Sequence, residues 1–158
     1  MNDLSHFSGE GRARMVDVSD KQGSKRTAIA SGKILMQEQT LLRIRHGGLA
    51  KGDVLTVADV AAVMGAKKTP ELIPMCHPLM LSGVDVAFSD LENEQGLKVE
   101  VTVSCSGKTG VEMEALTAVS AALLTIYDMC KAIDKEMRIA DIQLEEKRGG
   151  KSGDWRRE

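Results

Sequence analysis

The sequence predicts one α+β domain in which helices cover one face of an antiparallel sheet. Its 158 residues and 42% hydrophobic content suit a single domain with its own core. Residues 82–89 and 97–105 alternate apolar and polar side chains around a polar turn, which predicts an antiparallel hairpin with one solvated face. Residues 111–134 are apolar on nearly all sides, which predicts a helix buried on more than one side. The chain has no repeated strand–helix–strand rhythm of the kind that builds a parallel sheet.

Local patterns predict the other elements in chain order. The polar, glycine-containing N-terminal segment predicts a loose tail. Small and apolar residues that alternate over 27–36 predict a strand. A short helix is expected over 37–46, because apolar residues recur there and Gly47–Gly48 provides a stop.

The second helix should begin after Thr56, which is a suitable N-cap. It should end at or before Lys68, because Pro70 follows closely and cannot donate a backbone hydrogen bond. A closing strand is expected over 137–144, and the glycine-rich, charged residues 147–158 are expected to be mobile.

Charge and aromatic content argue against a nucleic-acid-binding protein. The chain carries 21 basic and 23 acidic residues, a formal net charge of -2, so any anion site must be a local cluster. Aromatic residues make up 3% of the chain, which leaves few rings on which bases could stack.

Cysteine usage and hydropathy predict a cytoplasmic protein. The three cysteines are widely spaced and form no C-x-x-C pair, so a disulfide framework is not expected. The N-terminus lacks the apolar core of a signal peptide. The longest apolar stretch, residues 115–127, is interrupted by Thr and Ser and is shorter than the roughly 20 residues that span a bilayer.

Cys76 and His77 form the first candidate site, in a loop bounded by Pro74 and Pro78. They could supply a metal ligand, a thiolate or a proton-handling imidazole, but no zinc-like spacing to another ligand exists, so no metal is expected. The alternative is a hydrogen-bonded histidine at a loop corner, with no catalytic role.

Asp128 and Lys131 stand three residues apart and can pair on one helical face. An ordinary ion pair is one interpretation. The other is an acid–base pair in which partial desolvation lowers the pKa of the lysine. Glu112 and Glu114, at the start of the same helix, either interact favourably with the helix dipole or recognise the amino edges of a heterocycle.

Two Gly-Lys segments, 107–109 and 150–152, resemble the end of a phosphate loop. Thr102 and Glu145 occupy the positions where the full motif requires its first glycine, so a nucleotide triphosphatase is not favoured. The second segment, together with Lys147 and Arg148, could still bind phosphate through backbone N–H groups and cations, or it could be a disordered basic tail.

Several irregular, polar-containing strings stand out: TPELIPMCHPLMLSGVDV, KTGVEMEALTAVSAALLTIYDMCKA, GGKSGD, MVDVSDK and KGDV. Together they closely resemble the molybdenum cofactor biosynthesis protein C (MoaC) family of cyclic pyranopterin monophosphate synthases. The likeness runs from about Arg14 to Asp154. It implies one catalytic domain over 14–154, a flexible tail at 1–13 and a C-terminal tail at 155–158.

The resemblance implies a lyase of molybdopterin synthesis. In that family a cyclic dihydro-GTP intermediate, made by a radical SAM GTP cyclase, is rearranged to cyclic pyranopterin monophosphate with loss of diphosphate. The family fold is a ferredoxin-like antiparallel sheet, assembled as a homohexamer, a trimer of dimers, with active sites at a dimer interface. No tightly bound cofactor is implied, although Mg²⁺ could accompany the triphosphate.

The resemblance also assigns roles to individual residues. Lys51 and Lys131 match the family's catalytic lysines, and Asp128 matches its catalytic aspartate. The residues matched to substrate binding are Met75, Cys76, His77, Glu112, Met113, Glu114, Arg26, Lys67, Lys147, Lys151 and Ser152.

An alternative from another class is a noncatalytic oligomeric module that binds a nucleotide or pterin. It would explain the Gly-Lys loops and the apolar helix, but it would leave an aspartate, a histidine and two lysines without a task. Turnover separates the enzyme from this module.

Overall fold

The computed structural model describes residues 4–47 and 53–158 and contains five strands and three helices within them. In chain order these are β1 (Ser24–Leu35), α1 (Glu38–Arg45), α2 (Val54–Leu72), β2 (Leu81–Asp90), β3 (Gly96–Gly107), α3 (Glu112–Cys130), β4 (Arg138–Arg148) and β5 (Trp155–Arg156).

The strands form one antiparallel sheet in the order β2-β3-β1-β4-β5. The predicted hairpin is present, with Val84 opposite Val103 and Val86 opposite Val101. α2 leads from β1 to β2 across β3, and α3 leads from β3 to β4 across β1. These two interleaved crossovers make a ferredoxin-like α+β fold, which confirms the predicted class.

The core lies between the sheet and the two long helices. Period-two alternation puts Val99, Val101 and Val103 of β3 in full burial, while the intervening residues are partly exposed on the other face. α3 packs over β1, β3 and β4, and α2 packs along α3. α3 therefore lies directly on the sheet, and α2 covers α3 and also contacts β2 at the edge of the sheet.

The second helix differs from the sequence-based prediction at both ends. Its N-cap is Asp53, not Thr56, because the Asp53 carboxylate accepts hydrogen bonds from the backbone N–H groups of Leu55 and Thr56. The helix also continues through Pro70 to Leu72. A proline removes one intrahelical hydrogen bond, and burial of Thr69, whose hydroxyl donates to the Gly65 carbonyl at 3.0 Å, holds the helical turn around it.

α3 ends at Cys130, four residues before the predicted limit. By length and composition alone α3 could cross a membrane, but half of its apolar window is buried inside the fold. The central helix of a packed domain has this same character. Its apolar residues are explained by contact with the sheet on one side and with α2 on the other.

Asp134 connects the end of α3 to α1. Its buried carboxylate accepts hydrogen bonds from the Gln37 backbone N–H at 2.9 Å and from the Thr40 hydroxyl at 3.1 Å. It therefore satisfies an N–H group at the start of α1, where Gln37 makes no side-chain cap.

The C-terminal segment is more ordered than its composition predicts. β4 extends to Arg148, and Trp155–Arg156 pairs with residues 146–147 as β5. The intervening turn contains Gly149 and Gly150 with φ of 88° and 84°, a conformation that glycine adopts freely.

We predict that Gly65→Ala destabilises the fold by about 1–3 kcal/mol through overpacking. A Cβ atom at Gly65 would lie 2.8 Å from the Ala121 Cβ and 3.1 Å from the Thr117 carbonyl oxygen, so α2 and α3 would have to separate. Urea unfolding measures the change. Gly83→Ala is the control, because a Cβ there meets nothing within 4 Å; equal stability of the two variants would contradict the prediction.

Candidate active site

A cleft of about 330 Å³ opens at the N-terminal end of α3. Three parts of the chain form it: the segment before β1, the loop between α2 and β2, and the first turn of α3 with the residues before it. Its lining residues are Ser5, His6, Val16, Val18, Lys21, Met75, Cys76, His77, Leu79, Thr109, Gly110, Glu112, Met113 and Glu114. The cleft thus brings together all six substrate-binding residues predicted from its two motifs.

The loop between α2 and β2 presents consecutive side chains to the cleft. The chain turns sharply after α2, where the Cys76 backbone N–H donates to the Ile73 carbonyl at 3.1 Å. Met75, Cys76 and His77 are all partly buried against the opposite wall. That wall contains Met113, so thioethers line two sides of the cleft. Methionine side chains adapt to flat apolar surfaces, which suits them to contact a fused ring.

Glu114 is a buried acid in this cleft, with 3% of its surface exposed. Burial raises its pKa, a backbone hydrogen bond opposes this with a smaller effect, and the neighbouring charge of Glu112 adds a still smaller increase. A carboxyl in this state holds its proton to higher pH than usual and can donate as well as accept a hydrogen bond.

The two cysteines nearest Glu114 are kept as thiols. Burial raises the pKa of Cys76, and the charge of Glu114 raises it further. Burial and the same glutamate also raise the pKa of Cys105 beneath the cleft. A thiolate is the nucleophilic form of cysteine, so Cys76 is suited to shape the cleft and not to attack a substrate.

The segment before β1 lies close to His77 and to the loop after β3. Hydrogen bonds from Ser19 lower the pKa of Asp17, and the charges of Lys108 and His77 contribute to the shift. The Lys108 ammonium donates to the Ser19 carbonyl at 2.9 Å. This network holds the segment that carries Val16, Val18 and Lys21 against the cleft.

A second cavity, of about 520 Å³, adjoins the first and shares Lys21 with it. It is lined by Asp20, Lys21, Gln22, Gly23, Ser24, Arg26, Gly150 and Lys151. Two predicted phosphate-binding residues, Arg26 and Lys151, therefore lie together beside the predicted heterocycle site.

The Arg26 guanidinium is fixed in place before any ligand binds. It donates through Nε to the Gly107 carbonyl at 2.9 Å and through Nη2 to the Lys108 carbonyl at 3.3 Å. Gly150 packs so closely on Nη1 that a Cβ at this position would collide with it. A pre-positioned guanidinium loses less side-chain entropy when it binds an anion.

Lys147 contacts Glu112 of the first cavity and Ser152, which follows Lys151 of the second cavity in the chain. Its ammonium lies 3.5 Å from the Glu112 carboxylate and 2.7 Å from the Ser152 hydroxyl. Position 147 reaches the start of α3 because β4 extends past its predicted end. The predicted residues Lys147, Ser152 and Glu112 are therefore in one connected group.

Asp128 and Lys131 lie at the opposite end of α3 and pair at 2.5 Å. Glu114 and Asp128 are fourteen positions apart, about 21 Å along a helix axis. The expectation of a desolvated Lys131 with a lowered pKa is wrong for the single chain. Its side chain is 51% exposed, and the hydrogen bond to Asp128 raises its pKa.

One further described residue of the predicted site, Lys67, does not line the cleft. Lys67 lies on the exposed side of α2 and lines neither cavity. Lys51 lies outside the described residues.

Sequence reasoning assigned no role to several of the residues that line the two cavities. Lys21 stands in MVDVSDK and Thr109 in the Gly-Lys-Thr segment, so both had a motif as a signal. Ser5 and His6 had none, because they precede every string that carries the resemblance.

The site combines groups for a neutral ring system with groups for an anion. Partly buried carboxyl groups and thioethers suit a heterocycle with N–H edges, and the adjoining cations suit phosphate groups. Among residues 4–47 and 53–158, no group of three or more His, Cys, Asp or Glu side chains is arranged to hold a metal ion.

Comparison with known proteins gives the same family throughout. The model of the MoaC family matches residues 15–150. The chain is 60% identical over 154 residues to the cyclic pyranopterin monophosphate synthase of Brevibacillus brevis, covering 98% of this chain and 96% of that protein. Proteins of the same name from Chloroflexus aurantiacus and Heliobacterium modesticaldum are 58% and 57% identical, covering 99% and 100% of this chain and 96% and 99% of those proteins. The chain belongs to the MoaC family.

Proposed function

We propose that this chain is a cyclic pyranopterin monophosphate synthase of molybdenum cofactor biosynthesis. It is then a lyase that converts (8S)-3',8-cyclo-7,8-dihydroguanosine 5'-triphosphate to cyclic pyranopterin monophosphate and diphosphate. Family membership and the names of relatives aligned over nearly their whole length support this reading. The observation that carries it is that two cavities meet at Lys21. One contains Glu112 and Glu114, and the other contains Arg26 and Lys151.

The heterocycle binds in the first cleft. Glu112 and Glu114 accept hydrogen bonds from the amino and ring N–H groups of a guanine-derived ring. Met75 and Met113 contact its faces, and Cys76 fills the space between them as a neutral thiol. His77 binds the substrate from the same loop.

The triphosphate extends into the second cavity. Arg26 and Lys151 line it, and Lys147 and Ser152 stand at its edge beside Glu112. Negative charge builds up on the diphosphate as it leaves. These cations attract that charge and so stabilise the transition state. Lys67 is assigned to phosphate binding by the resemblance, and its exposure on α2 leaves it accessible to a substrate held between two subunits.

The acid–base chemistry belongs to Lys51, Lys131 and Asp128. Ring opening, pterin closure and cyclic phosphate formation need several proton transfers, for which a lysine held by an aspartate is suited. Because Asp128 lies about 21 Å along the helix axis from Glu114 of its own chain, and farther from Glu112, a second subunit must supply either the glutamates or the acid–base pair. A homohexamer built as a trimer of dimers, with each active site at a dimer interface, meets this requirement.

The same proposal extends to the surroundings of the enzyme. The substrate comes from a radical SAM GTP cyclase, and Mg²⁺ accompanies the triphosphate as part of the substrate. The protein acts in the cytoplasm.

The first prediction from the proposed function is that purified protein releases diphosphate from the cyclic dihydro-GTP substrate and forms a product with the mass of cyclic pyranopterin monophosphate. Lys51→Ala and Lys131→Ala should each lower kcat by about 10²–10⁴-fold, the usual effect of losing general acid–base catalysis. A coupled diphosphate assay and mass spectrometry measure both. Normal turnover by a folded Lys131→Ala variant would contradict its role, and ligand binding without diphosphate release would favour a noncatalytic module.

The second prediction concerns shared active sites. Glu112→Ala and Asp128→Ala should each be inactive, yet a mixture assembled from the two unfolded chains should recover activity. If the two residues come from different subunits, a mixed dimer has one intact site and one site that lacks both residues. Random pairing makes about half of the dimers mixed, so about a quarter of all sites are intact. Refolding each variant separately and then mixing, without exchange of subunits, is the control. No recovery in the co-assembled mixture would place both residues of a site in one chain.

The third prediction uses the buried carboxyl group. Because burial raises the pKa of Glu114, the folded state holds a proton that the unfolded chain releases, and stability falls as pH rises through the raised pKa. Glutamine does not titrate, so Glu114→Gln lacks this fall in stability with rising pH. It should therefore be more stable than the wild type at pH 8, with a smaller difference at pH 4, while kcat/KM falls about tenfold or more from a lost contact to substrate.

Thermal unfolding at the two pH values tests the stability difference. Glu92→Gln, a change in the exposed β2–β3 turn, is the matched control and should leave both stability and kcat/KM close to wild type. The prediction is contradicted if the stability of Glu114→Gln relative to wild type is lower at pH 8 than at pH 4. The carboxylate form would then stabilise the fold.

A further inference from the structure

Residues 6–14 form a small hairpin at the mouth of the first cleft. The backbone N–H groups of Ser8, Gly11 and Arg14 donate to the carbonyls of Arg12, Ser8 and His6, each at 2.8 Å. Phe7 and Ala13 form an antiparallel bridge between the two arms. The hairpin precedes residue 15, where the match to the family model begins. Family membership therefore assigns no role to it.

The hairpin brings His6 into the wall of the cleft. Ser5 and His6 line the same cavity as His77, Glu112 and Glu114. The hairpin has little apolar burial of its own, since its one large apolar side chain, Phe7, is 48% exposed. Its backbone hydrogen bonds, and not a core, set the direction in which His6 faces.

A hydrogen bond of the His6 imidazole bears on which of its ring nitrogens is a donor. Nδ1 of His6 lies 3.4 Å from the Arg14 carbonyl oxygen, which can only accept a hydrogen bond. In the neutral imidazole, donation from Nδ1 to this carbonyl selects the tautomer in which Nε2 is an acceptor. An acceptor nitrogen at the cleft mouth is complementary to an N–H or O–H group of a bound ligand.

We infer that His6 is a further substrate-contacting residue and that the 6–14 hairpin forms one wall of the occupied cleft. This inference rests on the proposed function for the identity of the substrate. His6 accepts a hydrogen bond from the guanine-derived part of the substrate, opposite the two glutamates of α3. It contributes to binding, and no proton transfer is assigned to it.

The three histidines of the chain make a direct binding test possible. The imidazole signals of His6, His46 and His77 can be assigned in NMR spectra by replacing each histidine with glutamine in turn. GTP serves as a probe that carries guanine and a triphosphate. Addition of GTP should shift the signals of His6 and His77. The His46 signal should not move, because its ring lies at the end of α1, 2.7 Å from the Leu42 carbonyl, and does not line the cleft.

Turnover provides the second test. His6→Gln should raise KM for the cyclic dihydro-GTP substrate about tenfold, with kcat changed less than about twofold, as expected when one ligand contact is lost. Gly11→Ala should raise KM as well. Gly11 adopts φ of 76° in the hairpin turn, where an alanine is strained, and a Cβ there would meet no other atom, so the change acts on the turn alone. Glu10→Gln, an exposed change on the same hairpin, is the control and should match wild type.

The outcomes separate this inference from the proposed function. Wild-type turnover with an unchanged KM in His6→Gln, or a His6 signal that GTP leaves in place while His77 shifts, would overturn the inference and leave the function intact. Absence of turnover in the wild type would instead overturn the proposed function. A raised KM in His6→Gln and Gly11→Ala, together with a normal Glu10→Gln, would establish the hairpin as a wall of the site.

Discussion

The close packing of α3 between the sheet and α2 is the constraint on which the rest of the structure depends. Small residues make it possible: Gly65 of α2 sits against Ala121 and Thr117 with no room for a methyl group. The helix can then lie over three strands and still be covered by α2. A helix fixed on both sides holds its ends in set positions, so the groups at those ends are positioned by the core itself.

The rigid helix α3 keeps two groups of polar side chains far apart. The first turn of α3 presents Glu112 and Glu114 to the cleft, while its last turn presents Asp128 to Lys131. A straight helix cannot bring its own ends together. Within one chain, the residues that line the cleft and the exposed Asp128–Lys131 pair therefore lie at opposite ends of the same helix.

Burial and charge divide the site into two electrostatic regions. In the cleft, desolvation raises the pKa values of Glu114 and Cys76, which favours neutral groups beside a neutral heterocycle. In the adjoining cavity, Arg26 is held by backbone carbonyls and stays available to an anion. Lys147 pairs with Glu112, so the charge of this cleft carboxylate is balanced before a ligand enters.

The sequence by itself determined the hairpin, the apolar central helix, the α+β class and the motifs that line the cleft. These features depend on residue periodicity and on local strings, which are written in the chain. Tertiary structure decided the continuation of α2 through Pro70, where packing outweighs a local breaker, and the order in β5, where strand pairing orders a polar tail. It also decided that Lys131 is exposed and that His6 enters the cleft, because burial and long-range contacts are set only when distant segments meet.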